Sequence, residues 1–405
     1  AGGDRITQTD VSSAAASLTS LKCLLNKTVS EHALFATIDL TDFYLGTPFP
    51  DPQYIKISVN HYDTSLLQSL NLLSYVQTDK KGTKFICFKI IKTMYGLPSS
   101  GKLSRDRLAA HLLTAGYHET STPGYFHHAH RRLSFCLVVD DFGICYHRIA
   151  DLNHLVDTLS TLYHVKVHPT GTKFLGLTVD YNRTARTITL SYPNFIKSLL
   201  TRVRPNGAKH ADTPAIYTPP SYGRKGPQLA TQLPPSTPAS EAEISQLRTI
   251  GGSLLYYALA IDFTILPVVC AVACQQACAT AHTLKAADRL LGYVAKQPNA
   301  SITYRPSDML LRAHSDASYL SRPNSGSVAG GYQYLGNRQN NNAFNHPILT
   351  FSTLIPVIVA SATEAEYAAV YANCILACDV RRTLANMGYP QPPPPSLQIM
   401  SAQLA

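Results

Sequence analysis

Three carboxylates define the chemistry open to this chain. Asp140 and Asp141 are adjacent, between two apolar runs, Leu133-Ser134-Phe135-Cys136-Leu137-Val138-Val139 and Phe142-Gly143-Ile144-Cys145-Tyr146. Runs rich in Val, Ile, Phe and Tyr predict strands, and Asp and Gly at the break predict a turn. The two acids then tip a hairpin whose body is buried. By itself the stretch reads first as a solvated, Asp-rich turn. Asp39 closes another strand-like run, 101 residues before Asp140. If those strands are neighbours in an antiparallel sheet, their ends bring three carboxylates together. Such a cluster repels itself unless divalent metal sits inside it. Two Mg²⁺ ions about 4 Å apart would activate a 3′-hydroxyl and stabilise a leaving pyrophosphate. Phosphoryl transfer needs mainly positioning and charge neutralisation, so acids plus metal suffice.

The elements that must hold these acids follow from spacing. Val11, Ala15, Leu18, Leu21, Leu24 and Leu25 recur at helical intervals over 11–30. Within 34–45 a strand ending at Asp39 is expected, and the prolines of 47–52 force a turn. Another strand is expected at 85–91. The loop Met94-Tyr95-Gly96-Leu97-Pro98-Ser99-Ser100-Gly101 leads into a helix over 103–115, ended by Gly116. After the acidic hairpin come a helix at 151–163, a strand at 173–179 and its hairpin partner at 187–190. Residues 205–238 hold eight prolines with Ser, Thr and Gly, which is linker composition. Ser240-Glu241-Ala242-Glu243 fits a capping box that opens helices over 241–260 and 264–296. Strands return at 302–304, 309–315, 328–335 and 348–352, then a helix at 363–386 ended by Gly388. This is an α+β pattern.

Composition narrows the class. The 405 residues are 45% hydrophobic and 15% charged, with a net charge of +10. That excludes a disordered chain and suits a polyanionic partner, nucleic acid first. Nine cysteines without framework spacing suggest a reducing compartment. Cys270, Cys274 and Cys278 share a helical interval, yet they alternate with Ala and Val and read as small apolar residues rather than metal ligands. The apolar stretch 253–274 is broken by Asp262 and Pro267, so a buried helix is expected and no membrane span. The N-terminus has no apolar signal core, and both ends read as cut.

At four ordered places the sequence resembles the reverse transcriptase of copia-type retrotransposons. Thr37-Ile38-Asp39-Leu40-Thr41-Asp42-Phe43-Tyr44-Leu45 is similar to its first polymerase motif, and Met94-Tyr95-Gly96-Leu97-Pro98 to its Tyr-Gly-Leu motif. Leu137-Val138-Val139-Asp140-Asp141 resembles its metal-binding Tyr-Val-Asp-Asp box, and Phe174-Leu175-Gly176 its primer-gripping strand. The resemblance implies a right-hand polymerase with palm, fingers and thumb, acting with Mg²⁺ or Mn²⁺. Asp39 and Asp140 would be the main metal ligands and Asp141 a supporting one. Tyr44 would exclude a 2′-hydroxyl, or else simply pack in the core. Implied partners are an RNA template, a DNA primer, the RNA–DNA hybrid and deoxynucleoside triphosphates. An intracellular setting, a cytoplasmic particle or the nucleus, follows with them. Two positions depart from the family: Ser99 stands at the expected Gln, and Val138 at the Tyr. The basic fingers segment is expected to be missing, or present only as its end.

A second constellation resembles the family's following ribonuclease H-like domain. Leu311-Arg312-Ala313-His314-Ser315-Asp316-Ala317 ends a strand at an acid, and Ser361-Ala362-Thr363-Glu364-Ala365-Glu366 comes about fifty residues later. Asp316 and Glu366 would be metal ligands there, although Thr363-x-x-Glu366 also fits a capping box. The third acid is expected near Met400 and the fourth beyond Ala405, so this part is expected to be catalytically dead. By the resemblance, 1–185 is partial fingers and palm, 186–300 is thumb and connection, and 301–405 is a truncated ribonuclease H-like α/β domain. The competing reading is a degenerate retroelement fragment that binds nucleic acid without catalysis. Two lesser signals are the basic cluster Phe126-His127-His128-Ala129-His130-Arg131-Arg132, read as a solvated turn, and Tyr217, Tyr222, Arg224 and Lys225 in the linker.

Overall fold

The computed structural model describes residues 11–216, 236–322, 325–339 and 345–392. The linker residues Tyr217, Tyr222, Arg224 and Lys225 and the position of Met400 lie outside them. Ser17 stops the first helix from starting at residue 11. Its hydroxyl accepts from Ser20 N at 3.0 Å, and α1 spans Leu18–Ser30 with Leu21, Leu24, Leu25 and Val29 buried. Strand β1 (Leu34–Thr41) follows. It ends before Tyr44, because Tyr44–Gly46 closes a short 3-10 turn. The expected turn at 47–52 is instead the start of β2 (Pro48–Ser58), which absorbs its prolines with an irregularity between Pro48 and Gln53. After α2 (Thr64–Ser69) and β3 (Gln77–Thr78), β4 (Lys84–Lys92) pairs with both β2 and β3. A small three-stranded sheet therefore stands where sequence reasoning expected a single strand.

Next come α3 (Ser100–Thr114), β5 (Tyr117–Glu119), β6 (Tyr125–His128), β7 (Leu133–Val138), β8 (Asp141–Tyr146), α4 (Ile149–Ser160) and β9 (His164–His168). The main sheet is antiparallel in the order β5-β6-β7-β8-β1-β9. Side-chain alternation divides its faces. Ile38, Leu40, Phe142 and Ile144 pack with Leu108 and Leu112 of α3 and Leu155 and Leu159 of α4. Phe35, Cys136 and Cys145 turn the other way, towards α1. Asp39 and Asp141 share their parity, so both belong to the α1 face.

A second sheet runs β10 (Lys173–Phe174), β11 (Leu177–Asn182), β12 (Thr187–Ser191) and β13 (Ser301–Tyr304). Helices α5 (Phe195–Val203), α6 (Glu241–Ala260), α7 (Leu266–Ala273) and α8 (Ala281–Lys296) lie between its third and fourth strands. The capping box at Ser240 forms, with Ser240 N donating to Glu243 Oε2 at 2.8 Å. The single helix expected over 264–296 is two, because Thr280 caps a new start. Cys270, Cys274 and Cys278 therefore do not share one helix, and Cys274 and Cys278 are exposed rather than packed.

The last sheet, β14 (Leu310–Arg322), β15 (Gly326–Gly336) and β16 (Leu349–Leu354), is covered by α9 (Ala362–Asn386). Its own small core joins Ala329, Ile355, Val359, Ala365 and Ala369. Its far end merges with the main core through Met309, Leu335, Val380 and Leu384. Among the described residues no helix is long and apolar enough to cross a membrane.

Candidate active site

Strand register brings the first three acids together. Asp39 of β1 lies directly opposite Asp141 of β8. Asp140 is in the two-residue turn between β7 and β8, because Val138 pairs with Asp141. Leu40 N donates to Asp140 O at 3.1 Å and ties the turn to β1. Val139, the other turn residue, has φ +59°, a left-handed conformation that disfavours a β-branched side chain. The hairpin tip is thus held in a strained conformation beside the acids.

The electrostatics follow from that crowding. Burial, and then the Asp140 and Asp39 charges, push the Asp141 carboxyl up to about 6. Asp140 is raised too, by burial first and by Asp39. On the other flank β9 sets Lys166 opposite Asp39, and Lys166 Nζ lies 3.9 Å from Asp39 Oδ2. Lys166 carried no signal in the sequence, since only the β1–β9 pairing places it there.

Two tyrosines flank the acids. Tyr44 and Tyr95 meet edge to face, 4.6 Å between ring centroids. Both hydroxyls are raised, by burial first and then by the Asp140 charge. Thr93 fixes this corner, its hydroxyl donating to Tyr44 O and sharing a hydrogen bond with Ser104 at 3.0 Å. The sequence marked Tyr95 as part of a loop but not as a neighbour of the acids. Ser99 sits at the start of α3 and its side chain makes no cap bond. Met94 N donates instead to Ser100 Oγ at 3.1 Å.

Phe174 lies beneath the site. Its ring covers Gly143 so closely that a Cβ there would meet Phe174 Cζ at 3.1 Å. Leu175 and Gly176, with φ of +50° and +79°, form the two-residue turn from β10 to β11. Tyr256 Oη donates to Leu175 O at 2.9 Å, anchoring that turn to α6.

The second pair is built differently. Asp316 is on β14, and Glu366 on α9 accepts from Ala317 N at 3.2 Å. Burial first, and then Asp316, raise the Glu366 carboxyl against the lowering effect of the Ala317 hydrogen bond. The helix N-cap is Ser361, bonded to Glu364 N at 3.1 Å. Glu366 therefore does not cap α9, contrary to the Thr363-x-x-Glu366 box.

The donor chemistry of the first cluster fits a hard divalent cation. It is all carboxylate oxygen, and its raised acids are the groups a cation would relieve. As placed, however, no three His, Cys, Asp or Glu side chains among the described residues converge closely enough to hold one.

No protein-family model matches the sequence. The chain is 29% identical over 297 residues to the retrovirus-related Pol polyprotein from transposon RE2 of Arabidopsis thaliana. The match takes in 72% of this chain and 19% of that polyprotein. A crystal structure of prototype foamy virus protease-reverse transcriptase is 12% identical, covering 91% of this chain and 39% of that one, with a TM-score of 0.24. That score is too low to establish a shared layout. The chain is similar, then, to a stretch of a transposon-encoded, retrovirus-related Pol polyprotein, the kinship to which its ordered motifs point.

Proposed function

We propose that the chain is an RNA-directed DNA polymerase of copia type, extending a primer by nucleotidyl transfer. The observation that carries this reading is the register that sets Asp39 against Asp141 with Asp140 at the adjoining turn. In this reading 1–185 is palm with partial fingers, 186–300 is thumb and connection, and 301–405 is ribonuclease H-like. Asp39, Asp140 and Asp141 would hold Mg²⁺ or Mn²⁺, which when bound supplies charge neutralisation for the hydroxyl and the leaving pyrophosphate. The chain's own groups position the rest. Without a cation, burial and the neighbouring acids push the Asp141 carboxyl up to about 6. The Tyr44 ring, held edge-on by Tyr95 near Asp140, takes the place of a steric gate against a ribose 2′-hydroxyl. Phe174 packs under the acid-bearing strand at Gly143, and the Leu175-Gly176 turn, anchored by Tyr256, would hold the primer.

Primer extension on a poly(rA) template with deoxythymidine triphosphate tests the proposal, with Asp140→Asn as control. Extension that disappears in the variant supports it. A second reading, nucleic-acid binding without catalysis, is favoured by one observation: as placed, three ligating groups do not converge. No extension, together with salt-sensitive hybrid binding, would leave only that reading.

A further inference from the structure

The basic cluster at 126–132 is a largely solvated turn, as expected, but one with fixed internal geometry. His128 organises it: Nδ1 accepts from His130 N at 3.0 Å and from Arg131 N at 3.1 Å, while Nε2 donates to Ala115 O at 3.1 Å. Both ring nitrogens are thereby used, and burial lowers the pKa of His128, so it holds the turn as a neutral imidazole. The chain that leaves this turn runs beside the end of β8, where His147 N donates to Arg132 O at 3.2 Å. Here a cavity of about 260 Å³ opens, lined by Lys27, Glu31, His127, Arg131, Arg132 and His147 together with the end of α9. It lies at the opposite end of β1 from the acids. Leu34 pairs with Tyr146 at one end and Asp39 with Asp141 at the other, roughly 17 Å apart along the strand.

The charge around this cavity does not balance. Lys27 pairs with Glu31 at 3.0 Å, and His147 Nε2 lies 2.8 Å from the same carboxylate. Arg131 and Arg148 share the buried Asp151. Arg132 has no ion-pair partner among the described residues, and its guanidinium meets His147 Nε2 at 3.3 Å. Among the lining residues three fixed cations, Lys27, Arg131 and Arg132, thus stand against the single carboxylate of Glu31, with the imidazoles of His127, His128 and His147 beside them. The nearby carbonyl at the α9 terminus, Met387 O, is taken by Lys27 Nζ at 3.4 Å. The volume falls below the ~300–1,000 Å³ of drug-sized ligand sites and suits a small anion.

We propose that this cavity binds a phosphoryl anion, with Arg132 and His127 as its exposed ligands. The source is either a free phosphate or a phosphate of a nucleic-acid strand that runs across the seam between the main sheet and α9. The site is independent of the acids and of any polymerase activity.

Titration calorimetry of the full chain with inorganic phosphate, at ionic strength held constant with chloride, tests this. Saturable binding is expected. It should weaken at least tenfold in the Arg132→Gln/His127→Gln double variant and stay unchanged in His130→Gln and Asp140→Asn. Circular dichroism checks that the double variant folds, and Arg132→Lys should restore part of the affinity. Competition by a 5′-phosphorylated oligonucleotide but not its unphosphorylated twin assigns the source to a strand end. Competition by both assigns it to backbone phosphodiesters, and by neither to a free anion. Absence of saturable phosphate binding overturns the proposal. So does binding that survives the double variant or is lost in Asp140→Asn.

Discussion

The two acid groups of this molecule are assembled by different means. Asp39, Asp140 and Asp141 are fixed by backbone register in the middle of a six-stranded sheet, one hydrogen-bond ladder away from each other. Asp316 and Glu366 come from a strand and a helix, and Glu366 turns part of its bonding capacity to the β14 backbone at Ala317. Both groups crowd their charges, since Asp316 raises Glu366, but the second offsets part of that with the Ala317 N hydrogen bond, while among the described residues the first has no such bond to Asp141. Crowded acids are costly to keep without a ligand, and the first group crowds three where the second crowds two. The contrast also separates positioning from neutralisation, because Lys166 and the two tyrosines attend only the first group.

If that difference is functional, Asp140→Asn should lower primer extension by on the order of 1,000-fold, while Glu366→Gln leaves it within about twofold. Equal losses in one extension assay would break the comparison. The same purified chain should show no metal-dependent cleavage of RNA in a hybrid, and any such cleavage would make the second group a site after all. Tyr44→Ala should relax discrimination against ribonucleoside triphosphates by about tenfold in single-nucleotide incorporation. An unchanged ratio would return Tyr44 to plain packing.

The smallest effects concern stability. The folded pKa of Asp141 lies above its ordinary 3.8, near 6, so the folded state holds its proton longer than the unfolded chain does. With chelator present, stability should then fall as pH rises from about 4 to about 6, by on the order of 1 kcal/mol after allowing for solvent at this half-buried group. Asp141→Asn should reduce that slope in urea unfolding, and Glu366→Gln should reduce it in the same direction, because its carboxyl is raised as well. Val139→Gly should stabilise the metal-free chain by about 1 kcal/mol through relief of its left-handed conformation, although glycine's unfolded-state entropy offsets part of this.

Much of the local structure was legible. The α9 helix spans Ala362–Asn386 against an expected 363–386; its terminal glycine was legible, while its cap is Ser361 and not the expected Thr363. The acidic hairpin was legible from its two apolar runs, but its turn is Val139-Asp140 and not the expected Asp and Gly: Asp141 and Gly143 lie in β8, and a left-handed Val139 runs against turn propensity. The sheet over 48–92 was not, because prolines that normally break strands are accommodated at an irregular pairing. Buried Lys22 was invisible as well: it lies on the apolar side of α1, and only the approach of Leu259, whose carbonyl accepts from Nζ at 2.7 Å, explains it.

The sequence by itself determined which residue types could do chemistry and in what order they occur. Residue spacing along one chain reports local periodicity, and local periodicity was enough for the hairpin, its acids and the capped helices. Only the tertiary structure decided that β1 lies between β8 and β9. That pairing set Asp39 opposite Asp141 and brought Lys166 to its side. Tertiary packing also turned Glu366 towards the β14 backbone and gathered Lys27, Arg132 and His147 around one cavity. Each of these depends on contacts between residues far apart in the chain, where loop closure and core packing, not propensity, choose the partner.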